Sequence, residues 1–284
     1  TRVRKILVWS ADPDGGWYIR QGDHADVERL ADGSKPDKLM YGYEQTHVYM
    51  GASSLEERGL YPKLLLAMAL PHTPGESPGR NGLLAVAIAH EAATRAGGQP
   101  LHLIGDNAYV NAHPADFAVP VRALGLDLVI DYNATQLGVQ SSHEGALMVE
   151  GRWYCPAMPK PLIDATADFR NELIDHQTYQ RRLADRLAFA FRPKAMPDAD
   201  GSLRLMCPAA GTAPTARCDL KPASRHRRHL GKRHVDLNHL LRDNPPKACR
   251  QQSITVPALV RGRFEQLLHY GTEAWRVPSQ TLRS

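Results

Sequence analysis

The sequence has little to cross a membrane with. Its longest apolar run, LLLAMAL at 64 to 70, falls far short of the roughly 18 to 20 residues that span a bilayer. The start, TRVRKILVWSADPD, has no signal-peptide core or cleavage site, so a cytoplasmic protein is expected. Aromatic residues make up only 7%, while Gly and Pro together supply 22 and 21 residues, so ordered segments should alternate with wide loops. No G-x-S-x-G elbow is present, and Ser-Ser-His at 141 to 143 is too little for a hydrolase. The glycine loop PGESPGRNG (74 to 82) lacks the Lys-Ser/Thr of a P-loop, which argues against nucleotide hydrolysis. None of the four cysteines, Cys155, Cys207, Cys218 and Cys249, forms a C-x-x-C pair, and reduced thiols are expected.

What is present reads as a globular α/β chain of 284 residues, 43% hydrophobic. KLMYGYEQTHVYMG (38 to 51) and LYPKLLLAMAL (60 to 70) read as neighbouring strands. NGLLAVAIAHEAATRAGG (81 to 98) reads as a helix capped by Asn81, with Leu84, Ile88 and Ala92 on one face and a Gly-Gly stop. PLHLIGD (100 to 106) and LDLVIDYN (126 to 133) are buried strands around a brief helix or turn at 119 to 125. This order predicts parallel pairing and puts Asp106 at the carboxyl end of a strand, where open α/β sheets bind ligands.

Beyond 134 the pattern changes. ALMVEGRWYCP (146 to 156) reads as a hairpin, and residues 168 to 192 as one helix with Phe169, Leu173, Leu183 and Leu187 near one face. From 193 to 257 the chain is loop-rich, without clear periodicity, and reads as an insertion that is partly metal-bound or partly disordered.

Charge is concentrated. The net charge is +5, and SRHRRHLGKRH (224 to 234) alone holds Arg225, Arg227, Arg228, Lys232 and Arg233 with no acid. Clustered cations of this kind suit nucleic-acid phosphates, because binding releases condensed counterions; a solvated basic loop is the alternative. His226, His229 and His234 are spaced like a helical face and are expected to neighbour phosphate or solvent rather than bind metal. The four cysteines, gathered in a loop-rich region, could hold a structural Zn²⁺ as a tetrahedral thiolate set; incidental thiols are the alternative.

GDNAY at a strand end, MYGYEQTHVYM some sixty residues earlier, RLMCPAAGTAPTARCDLKP, QQSITVP and YGTEAW together resemble bacterial insertion-sequence transposases of the DDE type, from about Asp12 to the end of the chain. The resemblance implies an RNase H-like mixed sheet flanked by helices, with a loop-rich, partly β insertion after the core. Residues 1 to 133 would be the core portion, 134 to 257 the insertion, and 258 to 284 a segment leading toward the last catalytic helix. It implies metal-dependent cleavage and transfer of double-stranded DNA at element ends, with Mg²⁺ or Mn²⁺ held by three acids. Assembly as a homo-oligomer and association with the nucleoid would follow.

Asp106 matches the second acid, as catalytic residue and metal ligand. Glu265, four residues after Arg261, is the in-chain candidate for the third, although an ordinary helix glutamate has the same pattern. Asp12 and Asp14 sit in a turn-forming context and read as surface residues. The first acid is therefore expected upstream of Thr1, and the usual third just past Ser284. The alternatives are a non-catalytic nucleic-acid-binding remnant of the same fold, or a zinc-stabilised structural α/β protein.

Overall fold

In a computed structural model the described residues are 15–20, 31, 38–51, 57, 60, 62–70 and 78–281; Asp12 and Asp14 lie outside them. The chain divides into two compact units, Thr1–Met50 with Lys63–Gln99, and Gly51–Pro62 with Pro100–Ser284. Among the described residues no helix is long and apolar enough to cross a membrane.

Among its described residues the first unit holds two antiparallel pairs and a helix. β1 (Gly16–Arg20) pairs with β2 (Lys38–Gly42), and β3 (Thr46–Tyr49) with β4 (Leu65–Ala69). α1 (Pro78–Arg95) follows. The helix starts one turn before Asn81, which is buried inside it rather than capping it. Its buried face is also not the expected one: Ala85, Val86 and Ala89 are covered, while Leu84 and Ile88 are 43% and 42% exposed. Small side chains allow close approach, so bulk did not decide which stripe of this helix is buried.

The second unit opens with a parallel pair, β5 (His102–Gly105) and β6 (Asp127–Ile130), joined through α2 (Ala108–Asn111) and α3 (Ala118–Ala123). All of β6 is buried, as a strand covered on both faces requires. A meander follows: β7 (Val139–His143), β8 (Ala146–Val149) and β9 (Arg152–Tyr154). Its two turns are both Glu-Gly, and Glu144, Gly145, Glu150 and Gly151 all have positive φ. Two successive positive-φ residues are what a two-residue type I′ hairpin demands.

The single helix expected over 168 to 192 is interrupted. α4 (Lys160–Ile163) and α5 (Ala165–Arg170) end before Glu172, which takes a φ of 58° and breaks the helical path. The chain restarts at α6 (His176–Arg186), where Asp175 caps by accepting the Thr178 N–H at 2.6 Å.

The region from 193 onward packs into a core rather than standing apart. β10 (Arg192–Pro193), β11 (Leu203–Met206), β12 (Ala216–Arg217), β13 (Arg233–His234), α7 (His239–Asp243), α8 (Lys247–Arg250) and β14 (Ser253–Val256) follow in order. β10, β11 and β14 form one antiparallel sheet, and β12 pairs with β13 in parallel. Leu203, Leu205, Val235, Leu237, Ile254 and Val256 join Met148, Trp153, Tyr154 and Phe189 in one apolar cluster. Strands of two to four residues are too short to show alternation, which hid them from sequence periodicity.

α9 (Ala258–Gly262) and α10 (Glu273–Thr281) complete the chain. Between them Gln266, 1% exposed, lies along β6: its Oε1 accepts the Ile130 N–H at 3.1 Å and its Nε2 donates to the Ile130 carbonyl at 2.7 Å. Among the described residues the architecture is mixed α/β, built of small sheets and helices.

Candidate functional site

In the parallel pair Gly105 stands opposite Ile130, so Asp106 and Asp131, the next residue of each strand, leave the sheet at the same level. Asp106 is exposed. Its Oδ1 accepts the Ala108 N–H at 3.1 Å, a local turn that starts α2. Asn107 ties the two strand ends together, donating from Nδ2 to the Asp131 carbonyl and to Gln136 Oε1, both at 2.8 Å.

The Asp131 carboxylate is organised from three sides. Oδ1 accepts the Tyr132 N–H at 2.9 Å and the Tyr270 hydroxyl, and Arg170 Nη2 lies 3.3 Å away. Arg170 also donates to the Tyr132 carbonyl at 3.0 Å. Burial, the hydrogen bond to Asp131 and the Asp131 charge all push the Tyr270 phenol upward, so it stays a donor.

Arg170 and Tyr270 also line a cleft of about 570 Å³, walled by Phe169, Tyr179, Trp275 and Arg276. Phe169 stacks on Tyr179 with centroids 4.5 Å apart, and Tyr270 tilts against Trp275 at 4.4 Å. The Gly of YGTEAW is required here: Gly271 has a φ of 78°, and a Cβ on it would collide with the Tyr179 hydroxyl. Aromatic faces beside guanidinium groups are chemistry that accepts planar or phosphate-bearing ligands.

Glu265 is placed differently. It is buried, and Oε2 receives Arg261 Nε at 2.6 Å. Arg122 reaches from α3 to the carbonyls of Gly262 and Glu265, at 2.9 and 2.7 Å. Asp127 nearby accepts the Leu267 N–H at 3.2 Å; burial raises its carboxyl to about 6, and His102 Nδ1 stands 3.8 Å off. No hydrogen bond or ion pair joins Glu265 to Asp106. Among the described residues no group of three His, Cys, Asp or Glu side chains is already arranged as metal ligands.

Of the basic stretch, Arg225, Arg227, Arg228 and Lys232 are exposed and have no carboxylate partner among the described residues. Arg233 is also exposed but occupied, 2.9 Å from Asp185 and over the Phe189 ring at 5.6 Å. The three histidines do not share a face. His226 is exposed and starts a short 3₁₀ turn, His229 is 1% exposed, and His234 lies between Asp219 and Asp236 at 3.1 and 3.4 Å.

All four cysteines are buried and unbridged. Burial pushes every thiol up, that of Cys249 to about 11. Beside them is Lys221, also buried, whose Nζ donates to the carbonyls of Cys249 and Gln251 at 2.5 and 2.6 Å.

Sequence reasoning did not single out Asp131, Arg170, Tyr270 or Lys221. For Asp131 a signal existed: VIDYN repeats the grammar of LIGDN, an apolar strand closing on an acid. Compared with family models, with curated proteins and with solved structures, the chain shows no match.

Proposed function

We propose that this chain acts on DNA as a DDE-type strand transferase, or as a piece of one, with an RNase H-like core and with Asp106 as a ligand of Mg²⁺ or Mn²⁺. The observation that supports this most is the pair of acids, Asp106 and Asp131, at one level on the carboxyl ends of two parallel strands. An antiparallel pair, a helix and then the parallel pair also follow one another in the chain order such a core uses. Hard carboxylate oxygens in an exposed position suit Mg²⁺. Bound there, the metal would lower the pKa of an attacking water or hydroxyl and stabilise the oxygen leaving phosphorus.

The chain's own residues supply the rest. Asn107 fixes the spacing of the two strand ends. Arg225, Arg227, Arg228 and Lys232 give a phosphate-binding surface, which positions DNA without reading its sequence. Glu265, held by Arg261, takes no metal in this scheme.

A second reading is favoured by the same geometry. The Asp106 carboxylate already closes its own turn, and Asp131 is already held by Arg170 and Tyr270. A non-catalytic nucleic-acid-binding protein of this fold would look the same.

Plasmid nicking separates the two. The full natural reading frame is incubated with supercoiled plasmid and Mg²⁺ or Mn²⁺, beside its Asp106→Asn variant. Metal-dependent nicking that Asp106→Asn abolishes, with DNA binding retained, is the expected outcome. Binding by both proteins with nicking by neither supports the non-catalytic reading, and no retention of DNA at low salt removes both.

A further inference from the structure

We infer that Cys155, Cys207, Cys218 and Cys249 form a structural zinc site that clamps three loops and α8 of the second unit together. These are all the cysteines of the chain, and they come from positions spread over almost a hundred residues. The fold brings their segments together: Cys155, Cys207 and Cys218 are buried in one cluster with Ala248, the chain neighbour of Cys249.

The backbone explains the convergence. The Cys155 N–H donates to the carbonyl of Phe189, in the 3₁₀ turn that precedes β10, at 2.9 Å. The Cys207 N–H donates to the Gln252 carbonyl at 2.9 Å, which brings the end of β11 beside the segment following Cys249. Lys221, three residues after Cys218, reaches across to the Cys249 carbonyl.

Three of the four share one local geometry. Cys155, Cys207 and Cys218 each open a turn in which the N–H three residues on returns to the cysteine carbonyl, from Met158, Ala210 and Lys221 at 3.0, 2.9 and 3.0 Å. Three separate loops thus carry their cysteines on the same tight turn, and all three side chains are buried in one cluster.

Lys221 is the independent observation. It is a buried amine with two carbonyl partners and no carboxylate among the described residues. Burying an ammonium is costly unless a counter-charge is close. Four thiolates around Zn²⁺ carry a net charge of about −2, which supplies one. In forming the site each thiol gives up its proton to solvent and gains a sulfur–zinc bond. The metal also suits a region whose strands are only two to four residues long, because it cross-links loops where regular hydrogen bonding is sparse.

This inference does not rest on the DNA reading, and either can fail alone. The test uses the chain purified under reducing conditions from zinc-supplemented medium. Elemental analysis is expected to give about one zinc per chain. The thiols should resist a thiol reagent until a strong chelator is added, then react with release of zinc. Replacing zinc by Co²⁺ should give sulfur-to-cobalt charge-transfer absorption with the visible bands of a tetrahedral centre. Cys218→Ser should remove at least about 90% of the bound metal, and because that variant can misfold, the cobalt spectrum of the unaltered chain stands as the primary reading. A natively folded chain with less than about 0.1 zinc, no cobalt–thiolate band and thiols that react without chelator would overturn the site.

Discussion

Glu150 and Arg186 form an ion pair whose side chains are 0% and 3% exposed. The glutamate stands at positive φ in the β8–β9 turn, and Thr166 adds a hydrogen bond to Oε2 at 2.8 Å. Arg186 spends its other donors on the carbonyls of Leu162 and Ile163, so the pair ties the meander to α4.

Removing one partner leaves the other charge buried and alone. Arg186→Met is expected to destabilise the second unit by about 3–5 kcal/mol. Pairing it with Glu150→Gln should recover part of that loss, because the stranded charge disappears. Urea denaturation of the single and double variants measures the coupling, and strict additivity would contradict it.

Asp127 sets a pH dependence of one sign. Its folded carboxyl titrates near 6 against an ordinary 3.8, because burial disfavours the anion. The folded state therefore binds the proton more tightly, and this stabilisation, complete below about pH 4, is lost as pH rises through 6. Asp127→Asn keeps an oxygen for the Leu267 N–H, and at pH 7.5 it should stabilise the protein by up to about 2 kcal/mol. At pH 4 the gain should vanish.

His269 sets the opposite sign. Burial, with Arg152 and Arg186 nearby, lowers its imidazole from 6.5 to about 3, and Nδ1 lies 3.1 Å from the Tyr154 hydroxyl. Between those values the unfolded chain binds more protons, so stability falls as pH drops from about 6.5 towards 3, by about 4 kcal/mol in all. In His269→Gln the stability profile, followed by denaturant titration at each pH, should lose most of that slope.

The basic residues make a prediction about salt. If Arg225, Arg227, Arg228 and Lys232 contact DNA phosphates, replacing each by Ala should lower the slope of log affinity against log salt by about 0.9. The loss should be the same on unrelated sequences, as titrations on two random duplexes would show. Arg233→Ala should change the slope least, because that cation is already paired with Asp185.

Local signals in the sequence proved readable where one short segment held all the information. The β8–β9 hairpin followed from VEGR, and the place of Asp106 followed from an apolar run stopping on an acid. What failed depended on distant partners. Arg170 and Tyr270 meet at Asp131 from 39 and 139 residues away, and no periodicity reports that. The interruption at Glu172 lay inside a pattern that still looked helical, and the exposure of Leu84 and Ile88 on α1 depended on which face the fold buries. The cysteine set was legible as composition, but the turn shared by Cys155, Cys207 and Cys218 was not.

Gln266 gives the β5–β6 pair a lateral limit. Its side-chain amide offers Ile130 one acceptor and one donor, the same two groups that a third strand would present at that position. Residue for residue, a glutamine impersonates a neighbour and uses up the hydrogen bonds through which another chain could extend the sheet. Exposed strand edges are templates for unwanted pairing between molecules. At Ile130 the template is already taken by the protein's own C-terminal segment.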